Sequence, residues 1–314
     1  MEPAEASVGP NLVIERTIRD VSQIVRGKPE AVRLCVMGLL ARGHVLLEDV
    51  PGVGKTTLAR ALAESVGGGF GRVQMTADLL PADIIGGPVL DRSSGELNFR
   101  PGPIFNNVVL ADELNRATPR TQSGLLEAMA ERSVSVDGRT HALPEPFFVI
   151  ATQNPSDHHG VYRLPQSQLD RFLVRTSLGY PDEETELQLL LGEGATPSSE
   201  PRLTQDVLAR LQTAVDQVRL ESSVAKYLRS IADRTRAHAE LEIGVSTRGL
   251  LALGQAARAR ALMEGRDFVS PDDVRALVVP VLAHRVVVAG GRGNEREEAE
   301  ALLEEIANAV EPPV

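Results

Sequence analysis

Residues 44–66 read HVLLEDVPGVGKTTLARALAESV. A short apolar run from His44 to Val50 ends at a Pro-Gly loop, and apolar residues recur at helical intervals from Thr56 to Val66. The run reads as a buried strand and the repeat as the helix after it. Between them lie Pro51, Gly52, Val53, Gly54 and Lys55, followed by Thr56 and Thr57. One reading is an ordinary loop that opens a helix. The other is a seat for phosphate: glycines let several backbone N–H groups turn inward, and the helix N-terminus adds a favourable dipole. Lys55 would then reach the β- and γ-phosphates, and Thr56 would hold Mg2+. Gly54-Lys55-Thr56 fit the pattern G-x-x-x-x-G-K-[ST], but Asp49 stands where its first glycine belongs.

Other apolar runs also end in polar residues. VVLADE (108–113) brings two adjacent carboxylates to a strand end. Beside a phosphate loop, Asp112 would bind Mg2+ through water and Glu113 would polarise an attacking water. In VIATQNP (149–155), Asn154 could sit between that water and the γ-phosphate, although Asn before Pro is also a common turn residue. Arg171 in LPQSQLDRF (164–172) and Arg248 in GVSTRGLLAL (244–253) each read equally well as surface residues. Arg248 opens a helix, a place that suits a lid over bound phosphates.

Strands and helices alternate through the first half. GRVQM (71–75), VVLADE, FFVIATQNP (147–155) and FLVRTSLGY (172–180) read as further strands. DLLPADIIGG (78–87) reads as a broken helix and PVLDRSSGELNF (88–99) as two extended arms around a turn. SVSVDGRTHAL (133–143) carries the Asp-Gly signal of a two-residue hairpin. Alternation of this kind implies an α/β fold with a mainly parallel sheet, here of five strands. After Tyr180-Pro181 the pattern becomes helical. We therefore expect a disordered segment 1–11, an α/β core 12–180 and a smaller all-helical lid 181–314.

The 314 residues carry a net charge of -10, which speaks against an unspecific grip on nucleic acid. Aromatics are 3% and tryptophan is absent, so the core must be aliphatic. The single cysteine, Cys35, cannot pair within the chain and lies in an apolar helical stretch. The N-terminus lacks an apolar signal core, and VRALVVPVLAHRVVVAG (274–290) is interrupted by Pro280, His284 and Arg285. The expectation is a soluble cytoplasmic protein without a membrane span.

Taken together these residues resemble an AAA+ ATPase of the MoxR family. The resemblance runs from about Ile24 to His284. It is carried by the phosphate-loop stretch, DLLPADIIGG, FRPGPIFNNVVLADELNRATPRTQSGLLEAM (99–129), FFVIATQNP, GVYRLPQSQLDRF (160–172) and SLGYPDEETE (177–186). It implies a P-loop ATPase that uses ATP and Mg2+ in a homo-oligomeric ring, commonly a hexamer, with each active site between subunits. By that likeness Arg171 is an arginine finger acting in trans, Asn154 is sensor 1 and Arg248 is sensor 2. Residues 88–100 resemble an insert in helix 2, and 133–143 the hairpin before sensor 1. Val25 and Gly27 fall in the stretch that would line the adenine pocket. The likeness further implies chaperone-like remodelling of a protein client, often beside a partner with a von Willebrand factor A domain. A metal-chelatase motor and a nucleotide-dependent assembly switch are the alternatives.

The chain departs from the family at three points. Lys28-Pro29 replaces a more usual Gln. Ser246-Thr247-Arg248 replaces Ser-Pro-Arg, and Asp157-His158-His159 replaces an acidic stretch. Whether Arg248 acts within its own subunit or on the neighbour stays open at this level.

Overall fold

The computed structural model describes residues 9–93, 95–154, 160–192, 203–290 and 295–313. The Asp157-His158-His159 stretch and most of the expected N-terminal tail lie outside these residues. Helix α1 (Pro10–Ile24) begins inside the segment 1–11 that was expected to lack structure. A proline in the first turn has no N–H to lose there and is already set for a helix.

The chain continues with α2 (Pro29–Leu40), β1 (Val45–Glu48), α3 (Lys55–Ser65) and β2 (Phe70–Gln74). Next come a one-turn helix α4 (Pro81–Ile85) and an antiparallel hairpin, β3 (Gly86–Leu90) with β4 (Leu97–Pro101). Then follow β5 (Val108–Asp112), a 3-10 turn (Leu114–Arg116) and α5 (Pro119–Glu131). A second hairpin pairs β6 (Ser133–Val136) with β7 (Arg139–Ala142). Its turn residues Asp137 and Gly138 have φ of 50° and 75°, which a tight hairpin of this hand requires. Strand β8 (Phe148–Gln153), short helix α6 (Gln166–Leu169) and β9 (Val174–Thr176) complete the α/β portion.

The five-stranded sheet has the order β2-β5-β8-β1-β9, and every pairing is parallel. Its three central strands, β5, β8 and β1, are buried on both faces, as such a sheet demands, while the edge strand β2 exposes Arg72 and Gln74. Alternate side chains divide the core. Val45, Leu47, Val108, Leu110, Phe148 and Ile150 face α1, α2 and α3. Leu46, Val109, Ala111, Val149 and Ala151 face α4 and α5. Cys35 is fully buried in the first of these cores, and burial raises its thiol pKa to about 12, so it is a packing residue.

The remaining helices are α7 (Glu183–Leu190), α8 (Gln205–Gln217), α9 (Ser222–Ala237), α10 (Thr247–Met263), α11 (Pro271–Leu282) and α12 (Glu295–Ala309). This helical region also holds a small two-stranded sheet of β10 (Leu241–Ile243) and β11 (Val287–Val288). Strands of two or three residues are too short for a periodic sequence signal. The apolar core of α8–α12 is continuous with that of α1–α3. Helix α11 packs along the edge strand β9, so that edge is covered. Ser270 and Asp273 form a capping box at the start of α11, and Arg266 binds the buried Asp273 carboxylate through both guanidinium arms at 2.6 Å.

Two contacts fix the amino end of the sheet and the hairpins. The buried ring of His44 accepts from the Val149 N–H at Nδ1 (3.0 Å) and donates from Nε2 to the Met129 carbonyl (3.2 Å). Phe99 of β4 stacks on His141 of β7, with centroids 3.9 Å apart and planes 19° apart, so the two hairpins touch.

Burial lowers the His44 pKa to about 4. A folded pKa below the ordinary value means that stability is complete above about pH 6.5 and drains as the solution becomes more acid. His44 alone should cost about 1.5 kcal/mol between pH 6.5 and pH 5. His284, also depressed by burial, acts in the same direction. Denaturant titrations across that window should show falling stability. The slope should be shallower for His44→Gln, and an unchanged slope would refute the assignment.

Candidate functional site

Parallel strands bring all their carboxyl ends to one edge of the sheet, where ligands of α/β folds bind. Here β1 runs into the glycine loop, and β5 and β8 lie beside it. Gly52 and Gly54 have φ of 86° and 97°. A Cβ at either position would meet nothing within 4 Å, so the left-handed backbone is what selects glycine. Lys55 begins α3, and its largely buried ammonium donates to the carbonyls of Asp49 (3.0 Å) and Val50 (3.2 Å). Thr56 is half-buried and Thr57 exposed on the first turn, while Val53 turns inward and Pro51 outward.

Asp49 explains the missing first glycine. Its buried carboxylate accepts the Leu178 N–H at one oxygen and the Gly179 N–H at 3.0 Å at the other. The phosphate loop is thereby tied to the segment that leads from β9 into α7. A glycine could not make this tie.

The two carboxylates at the end of β5 are held by their neighbours. Asp112 accepts from the buried Thr152 hydroxyl at 2.7 Å and pairs with Arg72 at 2.8 Å. Thr152 also accepts the Glu113 N–H at 2.8 Å, so one hydroxyl fixes both residues. Glu113 adopts a left-handed backbone, φ 58° and ψ 50°. Its carboxylate accepts from Gln74 Nε2 at 2.9 Å and lies 3.2 Å from Arg116. Asn154 follows β8, the strand paired with β5, and is buried.

Gly27 meets the start of α7, and Val25 is buried as the C-cap of α1. Gly27 has φ 71°, and a Cβ there would lie 3.3 Å from the Thr185 hydroxyl. Arg26 donates to Gln188 at 2.7 Å, and Lys28 donates to the Tyr180 carbonyl. Lys28 thus holds the α7 approach by a cationic donor, a part the residue type alone did not suggest.

Arg171 and Arg248 lie elsewhere. Residues 170–173 precede β9, at the amino end of the sheet, so the length of β1 separates them from the glycine loop, about 10 Å at 3.3 Å per residue. Arg171 donates from Nη1 to the Leu126 carbonyl at 2.6 Å, and its buried Nε has no partner. Arg248 is exposed and stands 3.6 Å from Asp170, the residue before Arg171. Ser246 caps α10 by accepting the Gly249 N–H at 3.0 Å, which makes the proline missing at Thr247 unnecessary. Arg285, not singled out from sequence, anchors this corner. Its Nε donates to Asp170 at 2.8 Å and its Nη2 to the Phe172 carbonyl at 2.6 Å. Burial lowers its pKa to about 10, so it remains charged at neutral pH.

At the carboxyl edge the structure therefore gathers Lys55, Thr56, Asp112, Glu113 and Asn154, with Gly27 beside α7 and Val25 buried at the end of α1. It adds Asp49, Gln74 and Thr152, and it keeps Arg171 and Arg248 together but apart. The donor set at the carboxyl edge fits a phosphate chain with a divalent cation. An ammonium and a helix N-terminus suit the anion, and a hydroxyl and a carboxylate suit a hard metal ion. Among the described residues no cluster of three His, Cys, Asp or Glu forms a protein-only metal cage, and no helix is long and apolar enough to cross a membrane.

Comparisons with known proteins agree with this layout. Residues 44–174 match the family described as ATPase family associated with various cellular activities (AAA), and residues 233–306 match the AAA lid domain. The chain is 46% identical over 305 residues to the uncharacterized protein YeaC of Bacillus subtilis, covering 96% of this chain and 95% of that one. It is 42% identical over 286 residues to Chaperone MoxR1 of Mycobacterium tuberculosis, covering 88% and 76%. A crystal structure of a candidate ATPase from Cytophaga hutchinsonii superposes with a TM-score of 0.88 at 32% identity, covering 97% and 96%. A parallel sheet ending in a glycine loop, joined to a helical lid and matched along nearly its whole length by such relatives, places this chain in the MoxR-type AAA+ ATPases.

Proposed function

We propose that the protein hydrolyses ATP with Mg2+ at sites shared between protomers of a homo-oligomeric ring, and spends the turnover on remodelling a protein client. One observation carries the shared site: Arg171 and Arg248 sit at the opposite end of the sheet from Lys55, Glu113 and Asn154. Neither arginine reaches its own glycine loop, so both would serve a neighbour's nucleotide. A ring, most simply a hexamer, lets every protomer give one pair and receive another.

In this reading Lys55 and the loop N–H groups of Gly52, Val53, Gly54, Thr56 and Thr57 cradle the phosphates. Val25 and Gly27, with Pro51 of the loop, hold the adenine end. Thr56 and, through water, Asp112 would hold Mg2+, which would supply charge neutralisation between the phosphates. Glu113 takes the proton of water that Asn154 orients. Gln74 and Arg116 hold Glu113 aside until the loop is filled. Arg171 offers positive charge where the transition state spreads negative charge.

The segments 12–180 and 181–314 would act as core and lid, joined at Asp170, which accepts from Arg285. Similarity to a protein named a chaperone supports client remodelling. A partner with a von Willebrand factor A domain, and a cytoplasmic setting, complete the proposal.

Glu113→Gln should bind ATP with the affinity of the unmodified chain and turn it over at least about 100-fold more slowly, the scale of a lost general base. Full turnover in this variant would remove Glu113 from the role.

Lys55→Ala and Arg171→Ala should each be inactive alone, since a finger arginine contributes about 10³–10⁵ in rate. Mixed in equal amounts they should regain part of the activity, because some interfaces then pair an intact loop with an intact arginine. Mixtures as inactive as the separate variants would refute a site shared in this way.

A further inference from the structure

Glu48, the last residue of β1, is buried, and its two carboxylate oxygens serve different parts of the molecule. Oε1 accepts from Nε2 of Gln153, the residue before Asn154. Oε2 lies 3.2 Å from Arg296 on α12 and 3.6 Å from Arg175 on β9. Glu300, one turn after Arg296, closes the group. Its Oε1 accepts from Arg296 Nε at 2.9 Å and from Arg175 Nη2 at 3.2 Å. Two cations and two anions thus alternate, and each like-charged pair has an opposite charge between its members.

Burial makes this more than a surface ion pair. The Arg175 and Glu48 side chains are each only 9% exposed, and removing one partner of a buried pair leaves an uncompensated charge. Burial pulls the Arg175 pKa below its ordinary value, and the Glu48 and Glu300 carboxylates oppose that shift. A backbone bond doubles the tie at the strand tip: the Asp49 N–H donates to the Gln153 carbonyl at 3.1 Å. The root of the phosphate loop and the end of β8 are therefore fastened together by Glu48 and Asp49 in succession. The charge that meets Glu48 from outside the sheet comes from the C-terminal helix.

We propose that the Glu48–Arg296 pair is the joint through which α12 sets the root of the phosphate loop and the tip of β8, making Glu48 and Arg296 positioning residues for turnover. This rests on the ATPase reading above. A shift of α12 moves Arg296, Glu48 follows its partner, and Gln153 follows Glu48. Asn154, one residue on, changes its place relative to the loop. Neither residue of the pair touches the nucleotide, so the joint should govern the rate of the chemical step more than nucleotide affinity.

The test compares the full-length unmodified chain with Arg296→Gln and Arg296→Lys, by amide hydrogen exchange and by steady-state ATPase kinetics. Arg296 is 35% exposed at its side chain, so both variants should fold. In Arg296→Gln the Asp49 amide should exchange several-fold faster. The kcat should fall about tenfold, within the range that small misplacements produce, while KM for ATP stays within about twofold. Arg296→Lys keeps the charge and should recover most of both.

Exchange that rises along α12 while Asp49 keeps its unmodified rate would overturn the proposal, leaving Arg296 as an anchor of its own helix. An unchanged kcat, a Lys variant no better than the Gln variant, or a uniform rise throughout the chain would do the same. Exchange at Asp49 needs no nucleotide. A failure of the ATPase reading, seen as no turnover by the unmodified chain, is therefore distinguishable from a failure of the joint.

Discussion

A parallel sheet has two unlike ends, and this molecule is organised around that asymmetry. All five strands run the same way, so every carboxyl end meets at one edge and every amino end at the other. The glycine loop, Asp112, Glu113 and Asn154 can gather only because β1, β5 and β8 are neighbours that stop at nearly the same level. The same polarity sends Asp170, Arg171 and, through α10, Arg248 to the far edge. On the function proposed above, each chain would hold both halves of a phosphate site without bringing them together, and association of copies would join them.

Strand β9 is the second organising element. It is three residues long, yet its start and its middle are bound to the helical region and the segment after it to the root of the glycine loop. Before it, Phe172 and Leu173 offer their carbonyls to His284 and Arg285. Within it, Arg175 meets Glu300, and just beyond it Leu178 and Gly179 donate to Asp49. These contacts are backbone carbonyls, buried charges and N–H groups, all costly to leave unpaired. The helical region is thus registered against the sheet by polar bonds at fixed points, over a shared aliphatic core that tolerates small slides.

The strands and helices were legible because their signals are local. Apolar runs, Pro-Gly and Asp-Gly turns, and helical spacing placed α5 at Pro119–Glu131 and the hairpin turn at Asp137-Gly138. The candidate site residues could be named for the same reason, since Lys55 and Thr56 open a helix after a glycine loop and Asp112 and Glu113 close a strand, each within a short motif. What stayed hidden depends on pairing across distance. Asp49 reads as a flaw in a glycine pattern until Leu178 and Gly179 are seen beside it. Gln74 is one polar residue in GRVQM, and only the register of β2 against β5 sets it at Glu113. Arg285 looked like an interruption in an apolar stretch, whereas it is the buried anchor of Asp170. The tilt of Arg171 towards Leu126 has no sequence signal at all.

The ring stack of Phe99 on His141 joins two hairpins that share no strand pairing. Aromatic contacts of this kind are worth about 1 kcal/mol. That is comparable with thermal energy, so the contact behaves as a detent rather than a weld. Because β7 leads directly towards β8, the exposed tip at Val89, Leu90 and Leu97 is connected to the sheet through this one stack as well as through its own strands.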